Sequence, residues 1–447
     1  MSLLDKMDDA AKARAREARA NIEKLLAQNT GKLLRASELR EKAPVKPTAP
    51  LHELLHSCER ITRKTGELLR VESVVDLSGG THSRGYAFRP SPTAGIPASE
   101  TLAAVLEILS GDELLRDVPL ERLAFVDTET TGVMGMSGTH AFLIGLGFFR
   151  PVAGGHDFVC EQFFMEDYCH EEALLGHMAE RFAQFDAFVT FNGKSYDLPL
   201  LRARCILNRL RANLDLPHLD LLHPSRAIFR ARLRDCSLSN IEREVLDIQR
   251  QHDVEGALIP QIYFDYLRGR RADRLVPVFD HHAQDIISMG ALLLRLGEMV
   301  TDADHPALAQ AHDAASMGRL LRRRGRHDEA TSHLERAVGA SQDADCTNRA
   351  LRELASVYKK QGRAAEAAEI WAAEWRRAGV RNPEACVELV KLYERHLKNP
   401  AAALEIIGEA ERQMQQWHSM GRTQELADLQ ANLSKRRERL EKRVIRS

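Results

Sequence analysis

Leu123-Ala124-Phe125-Val126-Asp127-Thr128-Glu129-Thr130-Thr131-Gly132 is the stretch that decides the fold. Four apolar residues followed by alternation predict a buried strand. Side chains two apart on a strand point to one face, so Asp127 and Glu129 emerge side by side where the strand leaves the core. Adjacent anions repel unless a cation or a proton lies between them. Carboxylate oxygens are the hard ligands that a divalent metal takes. A capped loop after a strand is the alternative reading, since Asp and Thr are common there. Partners further along the chain decide between the two.

Outward from this stretch the pattern is α/β. A glycine-rich turn leads to a second strand, His140 to Phe149, and a third, Phe158 to Phe164. Glu171 to Phe185 has the periodicity of an amphipathic helix, and Ala187 to Phe191 is a fourth strand. This strand runs into Asn192-Gly193-Lys194-Ser195-Tyr196-Asp197, after which Leu198 to Leu210 is helical. The order predicts a sheet with antiparallel and parallel parts. Asp197 opens a helix directly after a strand, where sites in α/β folds collect. An ordinary helix cap explains the same residue. A late apolar-periodic helix, Phe279 to Leu296, carries Asp285, with His281 four residues earlier on the same face. Plain helix electrostatics is the alternative there.

The flanks differ in character. Residues 1–50 form a charged, Ala-rich helical arm that ends in a Pro-punctuated linker, Ala43 to Pro50. Residues 51–118 read as a lead-in that packs on the next domain, with Gly66 to Val75 as a strand, Gly79-Gly80 as a turn and Glu100 to Leu109 as a helix. The chemistry-bearing domain spans 119–300. After about His305 the chain reads as nearly all helix. Gly325-Arg326-His327-Asp328-Glu329-Ala330 is echoed by Gly362-Arg363-Ala364-Ala365-Glu366-Ala367, and more loosely by Leu397-Lys398-Asn399-Pro400-Ala401-Ala402. That spacing is close to the ~34-residue period of tetratricopeptide repeats. Such repeats are expected over 306–416, as a unit separable from the chemistry-bearing domain, with a charged helix over 417–447.

Composition narrows the class. The 447 residues are 44% hydrophobic, ample for buried cores, and suggest two or three domains. Lys plus Arg is 63 against 64 for Asp plus Glu, which neither supports nor excludes a nucleic-acid partner. The seven cysteines are scattered without a Cys-x-x-Cys pair, against a zinc ribbon or a disulfide framework. No apolar run approaches the ~18 residues of a membrane span, and a reduced cytoplasmic protein is expected. Basic residues cluster in two groups. Arg202, Arg204, Arg209 and Arg211 read as a solvated face; Arg226, Arg230, Arg232 and Arg234 read as substrate contacts.

Taken together, the four acids and the histidine resemble the pattern of the DEDD exonuclease superfamily, over about Leu120 to Leu296. Three stretches carry a closer resemblance. The first runs from Asp127 to Gly132, with Gly138-Thr139-His140-Ala141-Phe142-Leu143-Ile144-Gly145 after it; the second is Phe191 to Asp197. The third is His218-Leu219-Asp220-Leu221-Leu222-His223, leading to Ser237-Leu238-Ser239-Asn240-Ile241-Glu242. These are similar to the bacterial mitomycin-repair exonucleases with C-terminal tetratricopeptide repeats. The resemblance implies an α/β ribonuclease H-like nuclease domain, a mixed sheet flanked by helices, followed by an all-α tetratricopeptide-like domain.

It also implies a 3′→5′ exonuclease that releases mononucleotides in DNA repair. Asp127, Glu129, Asp197 and Asp285 would hold two Mg2+ ions, with Mn2+ as a substitute, and His281 would be the general base. The subgroups place His five, or Tyr four, residues before the last Asp. Here Asp280 stands five before and His281 four before, so His282, three before, stays open as the base. Helical geometry favours His281: His282 is rotated about 100° away and expected to face elsewhere. Thr130, Asn192 and Lys194 are candidate substrate contacts. DNA is favoured over RNA as partner, and the repeats would engage a helicase or another repair protein. An RNA exonuclease, a junction-type endonuclease, or a repeat-based adaptor with a vestigial nuclease fold are the other readings.

Overall fold

The computed structural model describes residues 49–77, 99–132, 138–153, 155–250, 253–269, 271–419 and 426–444. The expected N-terminal arm, apart from Ala49 and Pro50, and the Gly79-Gly80 turn lie outside the described residues.

Among the described residues seven strands form one mixed sheet. They are β1 (Cys58–Arg63), β2 (Gly66–Val75), β3 (Leu123–Thr130), β4 (Ala141–Val152), β5 (Gly155–Phe164), β6 (Ala187–Thr190) and β7 (His218–Asp220), in the order β1-β2-β5-β4-β3-β6-β7. The first five in that order pair antiparallel. β6 and β7 add in parallel beyond β3, and each parallel join needs a crossover, which helices supply. β1 and β2, from the lead-in segment, extend the antiparallel half. β3 therefore lies inside the sheet, between β4 and β6, and its apolar run Leu123–Val126 is fully buried.

Strand alternation sorts the two faces. Leu123 and Phe125 join a core with Phe149, Phe158 and Ile286. Ala124 and Val126 join the opposite core with Phe163, Phe188 and Phe279. Helices before and after β6 are α3 (Glu171–Phe182) and α4 (Asp197–Leu207). These follow two short helices, α1 (Leu51–Leu54) and α2 (Ser99–Ser110). After β7 come α5 (Leu222–Phe229), α6 (Leu238–Val245), α7 (Ile259–Leu267) and the 26-residue α8 (Val276–Thr301). α8 packs across β3, β4 and β5. It lies very close to β4: a Cβ on Gly145 would stand 2.0 Å from Ile286 Cδ1 and 2.7 Å from His282 Cε1.

The C-terminal third is a run of packed helices: α9 (Ala311–Arg323), α10 (His327–Ala340), α11 (Ala344–Lys360), α12 (Ala364–Ala378), α13 (Pro383–Arg395), α14 (Pro400–Ser419) and α15 (Ala427–Val444). Each packs on the next. The repeated glycines end helices in the left-handed region, Gly325 at φ 76° and Gly362 at φ 81°, where a side chain would be strained. In the third copy Lys398 takes that conformation, at φ 50°. This run is joined to the sheet domain by shared core: Ile228 and Phe229 of α5 belong to the same buried cluster as Met317, Leu320 and Leu321 of α9. Arg232 also reaches the fully buried Asp313 at 2.8 Å. Arg232 is thus part of the junction, where substrate contact had been expected.

Candidate active site

Three elements bring the acids to one end of the sheet. Asp127 and Glu129 stand on the last residues of β3, opposite Gly145 and Leu143, and the β3–β4 register shifts between Glu129 and Thr130. Such a bulge bends the strand and ends regular pairing.

Asp197 is the first residue of α4; Tyr196 holds the capping position, without a side-chain cap bond. The Asp197 carboxylate instead accepts a hydrogen bond of 2.5 Å from Thr128 Oγ1, tying α4 to β3. The loop that delivers Asp197 is fixed from β7. Asp220 accepts the backbone N–H groups of Asn192 at 2.7 Å, Lys194 at 3.1 Å and Leu222 at 3.1 Å. Asn192 sits at φ 71°. Gly193 lies against Thr190, whose Oγ1 bonds His218 Nε2 at 2.8 Å.

Asp285 comes from α8. His281, one turn earlier, has its Nε2 3.4 Å from Asp285 Oδ2 and 3.9 Å from Glu129 Oε1. Its Nδ1 is 2.7 Å from Asp253 Oδ1, so the carboxylate orients the ring and leaves Nε2 facing the acids. Glu129, His281 and Asp285 each offer a ligand atom within 4.8 Å of the others.

His282 is turned from His281 into the core, as helical rotation suggested, but it is not remote from the acids. It is fully buried, yet α8 lies so close to β4 that its Nε2 reaches past Gly145 to the Asp127 carbonyl, at 3.2 Å. Its Nδ1 meets the Gln162 amide at 3.0 Å. Burial pushes its pKa down to about 4, opposed by the Asp127 carbonyl, so at neutral pH it is an uncharged brace under β3.

Electrostatics mark the cluster as short of positive charge. Burial, then repulsion from Asp197, Asp285 and Glu129, raises the Asp127 pKa well above the carboxylate range. Burial, then Asp285 and Asp197, does the same to Glu129. Asp197 is pushed up to about 6, mainly by burial, against the Thr128 hydrogen bond. The cation that opposes this is Arg250, which touches Asp285 Oδ1 and forks onto Glu242 at 2.6 and 2.7 Å. Glu242 is buried and also accepts from Ser288 Oγ at 2.5 Å. An oxygen-rich donor set whose burial first, and then mutual repulsion at Asp127 and Glu129, raises its pKa values fits a hard divalent cation such as Mg2+.

A cleft of about 350 Å³ opens beside the acids, lined by Asp127, Thr128, Thr130, Gly132, Tyr196, Asp197 and Leu200. Thr130 is thus at the site. Asn192 and Lys194 lie on the adjoining loop but do not line the cleft; Lys194 is exposed. Of the first arginine group, Arg204 is a structural partner of buried Glu171, at 2.5 Å, rather than a solvated residue.

Arg250, Asp253, Asp220 and the bracing role of His282 were not found from sequence. One signal was available for the polar group under Asp285. His281, Gln284, Asp285 and Ser288 recur at three- and four-residue steps on an otherwise apolar helix, which demands polar partners facing that stripe.

These features define a ribonuclease H-like protein, and the comparisons agree: residues 124–296 match the family described as RNase_H superfamily, and the chain belongs to that superfamily. It is also similar to the uncharacterized protein YprB of Bacillus subtilis (strain 168), with 30% identity over 288 residues, 64% of this chain and 68% of that one. No described helix is long and apolar enough to cross a membrane.

Proposed function

We propose that this protein is a metal-dependent 3′→5′ exonuclease of the DEDD type that hydrolyses DNA, with a place in DNA repair like that of the mitomycin-repair exonucleases it resembles. The observation that carries this reading is the convergence of Asp127, Glu129, Asp197 and Asp285 on one site, with His281 Nε2 3.4 Å from Asp285. Asp127, Glu129, Asp197 and Asp285 would hold two Mg2+ ions, or Mn2+ in their place. When bound, such ions neutralise the carboxylates and act as Lewis acids toward a phosphodiester.

The chain's own residues do the rest. His281 takes a proton at Nε2 from the attacking water, and Asp253 at Nδ1 stabilises the imidazolium that results. Thr128 holds Asp197 in place and His282 braces the β3 backbone at Asp127. The cleft bounded by Tyr196 and Leu200 receives the terminal nucleotide, with the Tyr196 ring, half-exposed, as a surface for its base. Lys194 and Asn192 flank the strand on the adjoining loop. The helical run would recruit a helicase or another repair protein, since an exonuclease needs exposed ends.

RNA remains the alternative substrate on the same site. A vestigial nuclease serving as an adaptor is disfavoured, because a dead site has no reason to keep four carboxylates that repel. Digestion of 3′- and 5′-labelled DNA and RNA oligonucleotides with Mg2+ tests the reading. Mononucleotides released from the 3′ end of DNA are expected. Internal fragments would point to an endonuclease, and preference for RNA to the alternative substrate.

A further inference from the structure

The helical run carries a second concave site, away from the carboxylates. A cavity of about 330 Å³ opens between α9 and α11, with buried Trp371 of α12 in its lining, and reaches Ala231 just after α5. Arg319 and Arg322 enter it from α9, and Arg349 and Arg352 from α11. Each pair is three residues apart and so shares a helix face. Arg322 is held by Glu353 at 2.5 Å and Arg352 by Glu374 at 3.1 Å, and Arg352 Nε is buried without a hydrogen-bond partner. Among the described residues Arg319 and Arg349 make no ion pair.

The excess positive charge continues onto the sheet domain. Arg226 and Arg230, immediately ahead of Ala231, are exposed and likewise make no ion pair among the described residues. They lie on and just beyond α5, the helix that follows β7. Asp220, at the end of β7, pins the loop that delivers Asp197. Arg230 and Arg226 thus extend the basic groove onto α5, the helix that opens two residues after Asp220.

We propose that this groove binds the phosphodiester backbone of the strand whose end lies at the carboxylates, with Arg319 and Arg349 as phosphate contacts. The proposal rests on the nuclease reading of that site. Guanidinium forks match phosphate oxygens, and such contacts hold a strand in register without reading its sequence. An acidic protein segment could meet the repeat groove alone. The continuation through Arg230 and Arg226 favours a long polyanion that passes from one half of the molecule to the other.

The test uses the full chain, in chelator so that nothing is cut, and fluorescence anisotropy of labelled single-stranded DNA about 30 nucleotides long. Arg319→Ala/Arg349→Ala is compared with wild type across a salt series, and Arg226→Ala/Arg230→Ala serves as a second variant. Each double variant should bind on the order of 10-fold more weakly. Each should also flatten the slope of log K against log salt by roughly 1.4, for two lost contacts at ~0.7 each on a single strand. With Mg2+, hydrolysis of a very short strand by Arg319→Ala/Arg349→Ala should be unchanged, since such a strand does not reach the groove. Unaltered affinity and salt slope in both folded variants would overturn the proposal. So would arginine-dependent binding of polyglutamate by a protein that does not bind DNA. Arginine-dependent DNA binding without any hydrolysis in Mg2+ would support the groove and defeat the nuclease reading instead.

Discussion

His281 Nε2 lies 3.4 Å from Asp285 Oδ2 one helical turn away, while the other ring nitrogen is held at 2.7 Å by Asp253. The ring is thus fixed from behind with its free nitrogen toward the acids. Its neighbour His282 is buried and tied to the Asp127 carbonyl and Gln162. The two histidines should fail in different ways. His281→Ala should lose on the order of 10²–10⁴ in turnover, the range for a general base, with an unchanged melting temperature and partial rescue at high pH. His282→Ala should lower stability by about 2–5 kcal/mol, as a buried side chain and its hydrogen bonds are lost. Paired kinetics and thermal melts check this. A fully stable but inactive His282→Ala would exchange the roles.

The crowded carboxylates make a prediction of unusual sign. With Asp197 raised from 3.8 to about 6 in the folded state, the folded protein binds more protons than the unfolded chain between those values. The contribution of Asp197 to stability is therefore fully present below about 3.8 and lost as pH rises through about 6. In chelator, Asp197→Asn should be more stable than wild type at pH 7.5, by up to about 3 kcal/mol. The gain should shrink to nothing by about pH 4, near the unperturbed carboxylate value. Mg2+ should stabilise wild type far more than the variant. Denaturant melts at several pH values, with and without Mg2+, read all three. A variant less stable than wild type at every pH would show that burying the Asp197 charge costs the fold nothing.

Gly145 admits the close approach of α8 to β4. Gly145→Ala would put a methyl 2.0 Å from Ile286 Cδ1 and 2.7 Å from the His282 ring. The clash should cost about 1–3 kcal/mol or more. It should also lower turnover, because Asp285 rides on the displaced helix and Asp127 loses its brace. Full activity in the variant would show that α8 shifts without consequence for the acids.

Much of this arrangement was legible in the sequence, for a physical reason. β3 is buried on both faces, so its strand is a continuous apolar run, and the acids that end it stand out. Asp197 and Asp285 were found because each begins or punctuates a strongly patterned element. What stayed hidden depends on contacts between distant segments. His282 points where helical rotation says it should, into the core, but the absence of side chains at Gly145 and Gly147 lets that core position touch Asp127. Arg250 and Asp253 sit on an irregular loop without periodicity, and nothing local links them to Glu242 or His281. The change in composition near His305 suggested a separable helical unit, whereas Ile228, Phe229 and Leu321 share one core.

That shared core bears on truncation. Removing the chain after Asp304 would expose Ile228 and Phe229, both fully buried, at about 1.5–3 kcal/mol for each large apolar side chain. The truncated protein should melt well below the full chain and bind a hydrophobic dye. A truncation that melts cooperatively at the full-chain temperature would show that the helices are dispensable for folding.

If the four carboxylates form the metal-dependent phosphodiesterase site proposed above, activity must fail without metal and without Asp127. Hydrolysis of a short single-stranded DNA should be followed for wild type and Asp127→Asn, in Mg2+ and in chelator. The account predicts cleavage by wild type in Mg2+ alone and near-complete loss in the folded variant, since groups that act as one unit fail together. Cleavage that persists in chelator, or in Asp127→Asn, would contradict it.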